Sequence, residues 1–381
     1  MRPQPALFRL LALLASSSHA QPPGTTVYHN FSEGYHTYRI PSLIATPRGI
    51  LIAFAEGRAR FGFAPPAGDT ADCYGEGASA ADWRCTNKDV VYKRSLDGGA
   101  HWSPVAALAL ANDTHFYTNP QGLAAPAALF LLYMRCLAPT DGGNAFRNCT
   151  TVLQKSEDEG ATWAPLGDVP PAQQSSGGSG GVALASGRLV FSAPGSQGAA
   201  PGVGALLSDD GGRTWVWGAN APEGGENQVA EAAPGSLLMT IRRKNNTRAL
   251  VRSADGGGTW GAPEVMAVSD PDCQASLARV APQGGGPGWL LFANPHTSGL
   301  LPYALGRQNV TVQASRDGGS SWTPFFLVDE GPSAYTSLAQ LLGTGRGPGS
   351  CGILYEESAD LPVDFRSIRF VAFDCAPPWW A

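Results

Sequence analysis

Three arginines stand at the ends of apolar runs, where a positive charge needs an anionic partner. Arg39 lies in YRIPSL, Arg242 follows LLMTI, and Arg307 opens RQNVTV. A guanidinium group in apolar surroundings is costly unless it is paired. The net charge of the chain is −5, which argues against a general nucleic-acid binder, since such proteins usually present a basic surface. Any anion-binding site must therefore be a local cluster of arginines.

A second set of charged residues belongs to an eight-residue phrase that occurs five times. It reads SLDGGAHW from Ser95, and the other copies start at Ser156, Ser208, Ser253 and Ser315. Each copy has Asp two residues after Ser, Gly four after it and Trp seven after it. Asp followed by Gly suits a tight turn, because the carboxylate accepts backbone N–H bonds and Gly adopts positive φ. Calcium sites are the alternative, but the copies lack the further oxygen ligands of a calcium loop, so we interpret them as structural turns.

The elements that must position these residues are predicted to be strands. Short apolar runs lie between clusters of Gly, Pro and Asp, as at residues 49–54, 129–134, 187–192 and 235–241. This pattern favours an all-β protein. The phrase recurs at intervals of 45 to 62 residues, which suits a repeated unit that buries one face on its neighbours and closes into a ring.

The spacing predicts a six-bladed β-propeller of four-stranded antiparallel blades. Residues 21–381 form a single domain in this interpretation, with roughly 50 to 60 residues in each blade. A right-handed β-helix is the structural alternative, but its rungs would be shorter. In a propeller the strand ends converge on the central axis, so arginines from different repeats can meet there.

The first 20 residues predict a cleaved secretory signal, with a disordered start as the alternative. Arg2 and Arg9 precede an apolar run that ends in the small residues Ser18 and Ala20, as signal peptidases require. No later run approaches the roughly 20 apolar residues of a membrane-spanning helix. We therefore expect a protein of the secretory pathway, either secreted or held in a lysosome-like compartment. Five Asn-x-Ser/Thr sites agree with this route, at Asn30, Asn112, Asn148, Asn245 and Asn309.

The chain has seven cysteines and six histidines. No pair of cysteines has zinc-ligand spacing with histidines, so a structural metal is not expected. One cysteine, Cys273, has no neighbour in the sequence and is expected to be a free thiol. The plausible local disulfides are Cys73–Cys85, Cys136–Cys149 and Cys351–Cys375.

Several phrases occur in an order that resembles one enzyme family. The repeated phrase matches the Asp box of that family, and YRIPSL matches its Arg-Ile-Pro motif. LLSDDGGRTW, GENQVAE, GRQNVTV and GPSAYTSL follow in the same order as the family's later landmarks. From about residue 28 to residue 373, the chain resembles sialidases (exo-α-sialidases or neuraminidases) of the cellular and bacterial type.

This resemblance implies a retaining exo-α-sialidase that hydrolyses terminal α-linked sialic acids on glycoproteins, oligosaccharides or glycolipids such as gangliosides. Sialylated glycans would be its partners, protein partners stay open, and neither a metal nor an organic cofactor is required. The alternatives are a trans-sialidase, which passes the sugar to another glycan, and a non-catalytic Asp-box propeller that binds glycans or proteins. The Gly-rich stretch at residues 175–182 matches a loop beside the family's pocket. The tyrosines that some relatives place near the sugar's glycerol tail are not evident, so the preferred sialic acid and linkage stay open.

The resemblance also assigns roles around the anomeric carbon of the sugar. Sialic acid carries a carboxylate on that carbon, and the family arginines that bind it correspond to Arg39, Arg242 and Arg307. A carboxylate nucleophile would be repelled there, and sialidases use tyrosine instead. The corresponding residue is Tyr335. A phenol of ordinary pKa needs a base beside it, and Glu226 occupies the position of that base.

Acidic residues leave more than one possibility for proton transfer. Glu231, five residues after the proposed base, is the alternative base in the same segment. Asp82 corresponds best to the general acid that protonates the leaving oxygen, because it shortly precedes DVVYKRS, as the family acid does. Asp72 is the next candidate, and Asp69 and Asp89 also lie in this region. Asp89 begins the strand itself, which favours a structural role.

Supporting and substrate-binding roles follow from the same comparison. Glu356 in LYEES corresponds to the acid that braces Arg39. Glu56 and Arg58 match a Glu-x-Arg motif, in which the acid has a supporting role. Arg58 and Asn119 are candidates for contact with the substrate.

Overall fold

The computed structural model describes residues 24–62, 87–138, 149–169, 180–193, 204–281, 288–297, 306–347, 349–358 and 365–375. Every regular element in these ranges is a β-strand, so the predicted all-β class is confirmed. Across the same ranges, no helix has the length and apolar character that a membrane crossing requires. The proposed signal at residues 1–20, the Gly-rich stretch up to residue 179 and the sequon at Asn148 lie outside the described residues.

Four sheets have four antiparallel strands each, and neighbours in a sheet are neighbours in the chain. Sheet by sheet, the strands are β2 (Tyr35–Ala45), β3 (Leu51–Arg60), β4 (Lys88–Ser95) and β5 (Ala106–Ala109); β6 (His115–Ala124), β7 (Leu129–Leu137), β8 (Cys149–Ser156) and β9 (Ala164–Val169); β10 (Gly181–Ala183), β11 (Leu189–Ala193), β12 (Gly204–Ser208) and β13 (Val216–Trp217); and β14 (Asn227–Ala233), β15 (Ser236–Arg242), β16 (Arg248–Ser253) and β17 (Glu264–Met266).

A seven-stranded sheet completes the described part of the chain. Its 18-residue strand β21 pairs with β20 as far as Pro332 and with β22 from Ser333 onward. The sheet therefore contains two four-stranded groups that share one long strand, which is consistent with six blades in all. In spatial order its strands are β1 (Thr25–His29), β23 (Phe365–Asp374), β22 (Ser350–Ser358), β21 (Thr323–Gln340), β20 (Gln308–Ser315), β19 (Trp289–Pro295) and β18 (Ser276–Val280).

The first strands of successive sheets form a ring. Strands β2, β6, β10, β14 and β18 contact one another in that order, and β21 contacts both β18 and β2. The ring is closed because β1 pairs with β23, so strands from early and late in the chain share one sheet. The ends of the inner strands consequently face one another across the axis of a β-propeller.

The Asp/Gly phrases form hydrogen-bonded turns, which confirms their structural interpretation. In the first copy, Ser95 Oγ donates to Asp97 Oδ1 and accepts from Gly99 N, both at 2.8 Å. His101 N donates to Asp97 Oδ1 at 2.9 Å. These hydrogen bonds, led by that of His101 N, hold the pKa of Asp97 well below its ordinary value. The bonds of Ser to Asp and Gly recur in the other four copies.

The Trp that ends a phrase packs against the preceding sheet of the ring. The ring of Trp102 lies 5.6 Å from that of Phe370 in β23, and the ring of Trp163 lies 5.5 Å from that of Phe54 in β3. Both pairs meet edge to face, an arrangement that contributes about 0.5–1.5 kcal/mol beyond the burial of area. Each phrase thus fixes a turn and joins two sheets.

Two disulfides join strands of the same sheets. Cys136–Cys149 links β7 to β8, and Cys351–Cys375 links β22 to the residue that follows β23. Cys273 is buried and free. Two of the three local pairs and the free thiol are therefore as predicted, while Cys73 and Cys85 lie outside the described residues.

Candidate active site

Arg39 and Glu356 form a buried ion pair between β2 and β22. Nε and Nη2 of Arg39 donate to the two carboxylate oxygens of Glu356 at 3.1 and 2.7 Å. The same carboxylate accepts the backbone N–H groups of Ile40 at 2.8 Å and Tyr335 at 3.2 Å. Burial alone would lower the pKa of Arg39, but the Glu356 charge raises it above its ordinary value. Glu356 therefore keeps Arg39 positively charged and links strands β2, β21 and β22.

A local irregularity in β2 accompanies this pair. The register with β3 shifts between Arg39 and Ser42, and Ile40 has a φ of 59°. A β-branched residue rarely adopts positive φ, and such strain persists where the surroundings over-determine it. The bond from Ile40 N to Glu356 is one of the contacts that hold this bend.

Tyr335 and Glu226 are hydrogen-bonded although 109 residues separate them in the chain. Tyr335 lies on β21, shortly after the point where this strand changes partners, and its Oη donates to Glu226 Oε1. Burial of the phenol and the nearby Glu226 charge raise the pKa of Tyr335 well above its ordinary value, while Arg242, Arg39 and Arg307 oppose that rise. The phenol is therefore protonated at neutral pH, with a carboxylate placed to accept its proton.

Arg242, the last residue of β15, connects three other side chains. Its Nη1 donates to Glu226 Oε2 at 2.6 Å and to Tyr335 Oη at 3.3 Å, and its Nε donates to Asp272 Oδ1 at 2.5 Å. Burial alone would lower the pKa of Arg242, but the charge of Glu226 raises it above its ordinary value. The backbone N–H of Arg242 also donates to Glu226 O at 2.8 Å, which holds the acid beside the arginine.

Arg307 and Arg39 complete a group of guanidinium groups around the Tyr335 ring. The Cζ of Arg39 lies 5.0 Å from the ring centre and that of Arg307 lies 6.0 Å from it. Nη2 of Arg307 donates to the backbone oxygen of Asp272 at 2.7 Å. The structure thus brings together the three predicted arginines, the predicted nucleophile and the predicted base, each from a different position along the chain.

A second buried network lies on the first two sheets. Nε and Nη2 of Arg58 donate to Glu56 Oε2 at 2.8 and 2.6 Å, and Thr118 Oγ1 and Asn119 N donate to Glu56 Oε1. Burial alone would raise the pKa of Glu56, but Arg58 and Lys88, with the hydrogen bonds, lower it. The Glu56 charge also acts on Arg39. Glu56 therefore orients Arg58 and the Asn119 backbone, which has a φ of 57°.

Two of the alternative acids have structural partners. Asp89 accepts Tyr35 Oη at 2.6 Å, Arg60 Nη1 at 2.8 Å and Ala111 N at 2.6 Å, and burial raises its pKa. Glu231 accepts two backbone N–H groups, of Ala185 and Gly235, at 3.1 and 2.9 Å. These hydrogen bonds give both acids a structural role. Asp69, Asp72 and Asp82 lie outside the described residues.

Two residues at this site were not indicated by any sequence motif. Asp272 contacts both Arg242 and Arg307, and the Phe365 ring centre lies 3.7 Å from the Cζ of Arg39. Asp272 follows Asp270 and Pro271 in the sequence. These two nearby acids would each need a partner if buried, and this was the sequence feature that could have indicated Asp272. Within the described ranges, no group of three or more His, Cys, Asp and Glu side chains is arranged to hold a metal ion.

Comparison with known proteins places this geometry in a family. The model described as a BNR repeat-like domain matches residues 86–346. A sialidase of Bacteroides fragilis is 27% identical over 91% of this chain, and the chain spans 64% of that relative's length. A Hadza microbial sialidase is 26% identical with a TM-score of 0.73, covering 92% of this chain and 68% of that one.

A third relative shares the fold at lower identity. The intramolecular trans-sialidase of Ruminococcus gnavus is 17% identical with a TM-score of 0.69, covering 92% of this chain and 97% of that one. The family model covers more than half of the sequence, and the Asp boxes and the propeller agree with it. The chain therefore belongs to the BNR repeat-like domain family, and its curated relatives and structural neighbours place it with the sialidases.

Proposed function

We propose that the protein is an exo-α-sialidase that removes terminal α-linked sialic acids from glycans by a retaining mechanism. The observation that carries this proposal is the hydrogen bond between Tyr335 Oη and Glu226 inside the group of three arginines. A buried phenol can donate to a carboxylate for structural reasons alone, as Tyr355 does to Asp329, but a non-catalytic propeller has no need for three guanidinium groups around such a pair. A glycosidase for sugars with an anionic anomeric centre needs that acceptor and the cationic groups around it.

Substrate binding would use the guanidinium groups of Arg39, Arg242 and Arg307. A planar carboxylate matches the fork of donors on a guanidinium, and such charge-assisted pairs are shorter and stronger than neutral ones. Glu356 fixes Arg39 through two hydrogen bonds, so this arginine loses little conformational freedom on binding. The sugar carboxylate would anchor the anomeric carbon above the Tyr335 oxygen.

In the first chemical step, Tyr335 Oη bonds to the anomeric carbon while the bond from that carbon to the leaving oxygen breaks. The phenol proton passes to Glu226, and a general acid, for which Asp82 is our proposal, protonates the leaving oxygen. The raised pKa of Tyr335 makes the proton acceptor necessary. The arginines stabilise the negative charge that develops on the phenol oxygen.

In the second step, water attacks the anomeric carbon from the side that the leaving group has vacated. The deprotonated general acid takes a proton from this water, the bond to Tyr335 Oη breaks, and Glu226 returns the proton to the phenol. Two inversions give net retention, so the first product is α-sialic acid. No step requires a redox group.

The test is release of a fluorescent phenol from an α-sialoside by the wild-type protein and by Tyr335→Phe. We expect turnover by the wild type across acid to neutral pH and a loss of at least about 100-fold in the variant. Tyr355→Phe is the matched control, because Tyr355 is also buried and donates to a carboxylate, that of Asp329, at 2.8 Å. A folded wild-type protein that does not turn over the α-sialoside would refute the proposed hydrolase activity.

Transfer to a glycan is the second outcome that the same assay can detect. A structural relative is an intramolecular trans-sialidase, and the groups proposed here would serve transfer equally well. Time courses with a sialylated donor, with and without lactose, separate the two reactions. Free sialic acid as the main product supports hydrolysis, whereas sialyl-lactose or an internal anhydro sugar as the main product would replace it with transfer.

We also propose that the protein follows the secretory pathway to the cell exterior or a lysosome-like compartment. Disulfides persist in oxidising compartments, and Cys136–Cys149 and Cys351–Cys375 are both formed. The sequon residues Asn112 and Asn245 are exposed. Glycopeptide mapping after expression in a eukaryotic host should find glycans at these two sites, and their absence from secreted protein would contradict the proposal.

A further inference from the structure

Asp272 contacts two of the site's arginines and has a left-handed backbone conformation that residues other than glycine seldom adopt. It lies between β17 and β18, is 8% exposed and has a φ of 53°. Asp and Asn tolerate this left-handed region better than most residues, but it still carries strain. A strained residue in contact with functional groups needs a physical explanation.

Neighbouring contacts hold the segment at residues 270–274 in place. Arg248 Nε donates to Asp270 Oδ2 at 2.5 Å, and Arg248 Nη2 donates to Cys273 O at 2.5 Å. On the other side, the amide of Gln274 accepts Thr336 N at 2.9 Å and donates to Thr336 O at 3.1 Å. The segment is therefore fixed between β16 and the part of β21 that carries the proposed nucleophile.

Two oxygens of Asp272 accept hydrogen bonds from two different arginines. Its carboxylate Oδ1 accepts Arg242 Nε at 2.5 Å, and its backbone oxygen accepts Arg307 Nη2 at 2.7 Å. The Nε contact restricts rotation of the Arg242 guanidinium, whose Nη1 then meets Glu226 and Tyr335. One residue thus constrains the direction in which both arginines present their donors.

The Asp272 carboxylate also contributes negative charge where a carboxylate substrate would bind. Among the described residues, the carboxylates of Glu226 and Glu356 also hydrogen-bond arginines of the site. A carboxylate on a guanidinium weakens the attraction of that guanidinium for another anion. Asp272 therefore has two separable properties, an acceptor atom and a charge.

We propose that Asp272 is a positioning residue that orients Arg242 and Arg307 and limits their affinity for the sugar carboxylate. The inference rests on the proposed sialidase function. The acceptor keeps the arginines aligned for the reaction, and the charge keeps the product from binding too tightly. Removal of each property alone should consequently change different kinetic constants.

The experiment compares Asp272→Asn, which keeps an acceptor oxygen and loses the charge, with Asp272→Ala, which loses both. For Asp272→Asn we expect the inhibition constant of free sialic acid and KM to fall by about threefold or more, with kcat within about threefold of the wild type. For Asp272→Ala we expect kcat to fall by about tenfold or more, because Arg242 loses its alignment. An unchanged inhibition constant in the Asn variant, or an unchanged kcat in the Ala variant, would overturn the proposal.

Glu231→Gln serves as the matched control for the loss of a buried carboxylate. Glu231 is 5% exposed, but its hydrogen bonds run to backbone N–H groups outside the arginine group. We expect this variant to lose stability without any change in the inhibition constant of sialic acid. A fall equal to that in Asp272→Asn would mean that the effect is not local to the arginines.

A measurement that needs no ligand tests the positioning role of Asp272 independently of the proposed sialidase activity. The Arg242 Nε–H resonance of ¹⁵N-labelled protein, assigned by its loss in Arg242→Lys, reports the contact with Asp272 directly. In Asp272→Ala its exchange with solvent should accelerate by about tenfold or more, and an unchanged rate would overturn the positioning role. A wild-type protein that neither binds nor cleaves sialosides would instead overturn the proposed function and the affinity claim with it.

Discussion

Replacement of Glu356 by alanine removes the carboxylate that fixes Arg39. In the folded protein this carboxylate accepts two guanidinium N–H groups and two backbone N–H groups, those of Ile40 and Tyr335. Glu356 is 0% exposed and Arg39 is 8% exposed, so water cannot readily replace the lost partner. Loss of one member of a buried ion pair destabilises a protein by about 3–5 kcal/mol. The two orphaned backbone donors place the expected loss near the upper part of that range, at about 4–5 kcal/mol.

The assay is urea-induced unfolding followed by tryptophan fluorescence, with equal slopes of unfolding required for the comparison. Glu357→Ala is the matched control on the same strand, since Glu357 lies 3.8 Å from Arg369 and its side chain is 22% exposed. Arg369 is buried, but its distance of 3.8 Å from Glu357 exceeds that of a hydrogen bond and the Glu357 carboxylate stays accessible to water. We therefore expect Glu357→Ala to lose about 1 kcal/mol, well below the loss for Glu356→Ala. Equal losses for the two variants, or a Glu356→Ala protein as stable as the wild type, would refute the assignment of Glu356 as the brace of Arg39.

Three further predictions concern the base, the repeated turn and the free thiol. Glu226→Gln should lower kcat by about 100-fold or more while the melting temperature stays within a few degrees of the wild type, and a kcat within tenfold would exclude Glu226 as the base. Asp97→Ala should lower the melting temperature, because Ser95 and His101 lose their acceptor, but it should leave kcat/KM unchanged; a fully folded variant without turnover would contradict the structural role of the turn. Burial raises the pKa of Cys273 to about 11, so the native thiol should react with a disulfide reagent far more slowly at pH 8 than the unfolded one, with Cys273→Ser as the blank. Equal rates in the native and unfolded protein would show that the thiol is accessible.

Local signals in the sequence were sufficient for the framework of the propeller. Ser95, Asp97 and Gly99 lie within five residues of one another, so their turn depends on local chemistry that repeats at each copy. Arg39 and Arg242 were likewise visible as charges beside apolar runs. Arg242 ends β15 as expected, but Arg39 lies within β2, beside the register shift, rather than at a strand end. Propeller geometry then predicted that they meet, because inner strand ends share one axis.

Long-range pairings required the folded structure or a resemblance. The contact between Tyr335 and Glu226 spans 109 residues, and no periodicity in the chain indicates it; the match to family motifs did. Asp272 accepts a hydrogen bond from Arg242, 30 residues away in the sequence, and has a left-handed backbone conformation. No motif or repeat in the sequence predicts this contact. Such positions depend on tertiary packing rather than on local preference.

Strand β21 shows the same limit for secondary structure. Gly331 and Pro332 would predict the end of a strand, since Pro has no N–H for a ladder and Gly weakens a strand interior. The strand continues through them, but its partner changes from β20 to β22 at this point. The Gly-Pro pair thus coincides with the change of sheet, and only the fold shows that the chain stays extended across it.

In the proposed mechanism, Tyr335 forms a covalent bond with the anomeric carbon of the sugar. A 2,3-difluoro derivative of sialic acid should trap that bond, because its remaining fluorine destabilises the positively charged transition state of breakdown. Mass spectrometry of the treated protein is expected to show one added sugar on the peptide that contains Tyr335, and no adduct in Tyr335→Phe. An adduct on a different residue of an enzyme that turns over sialosides would contradict the account.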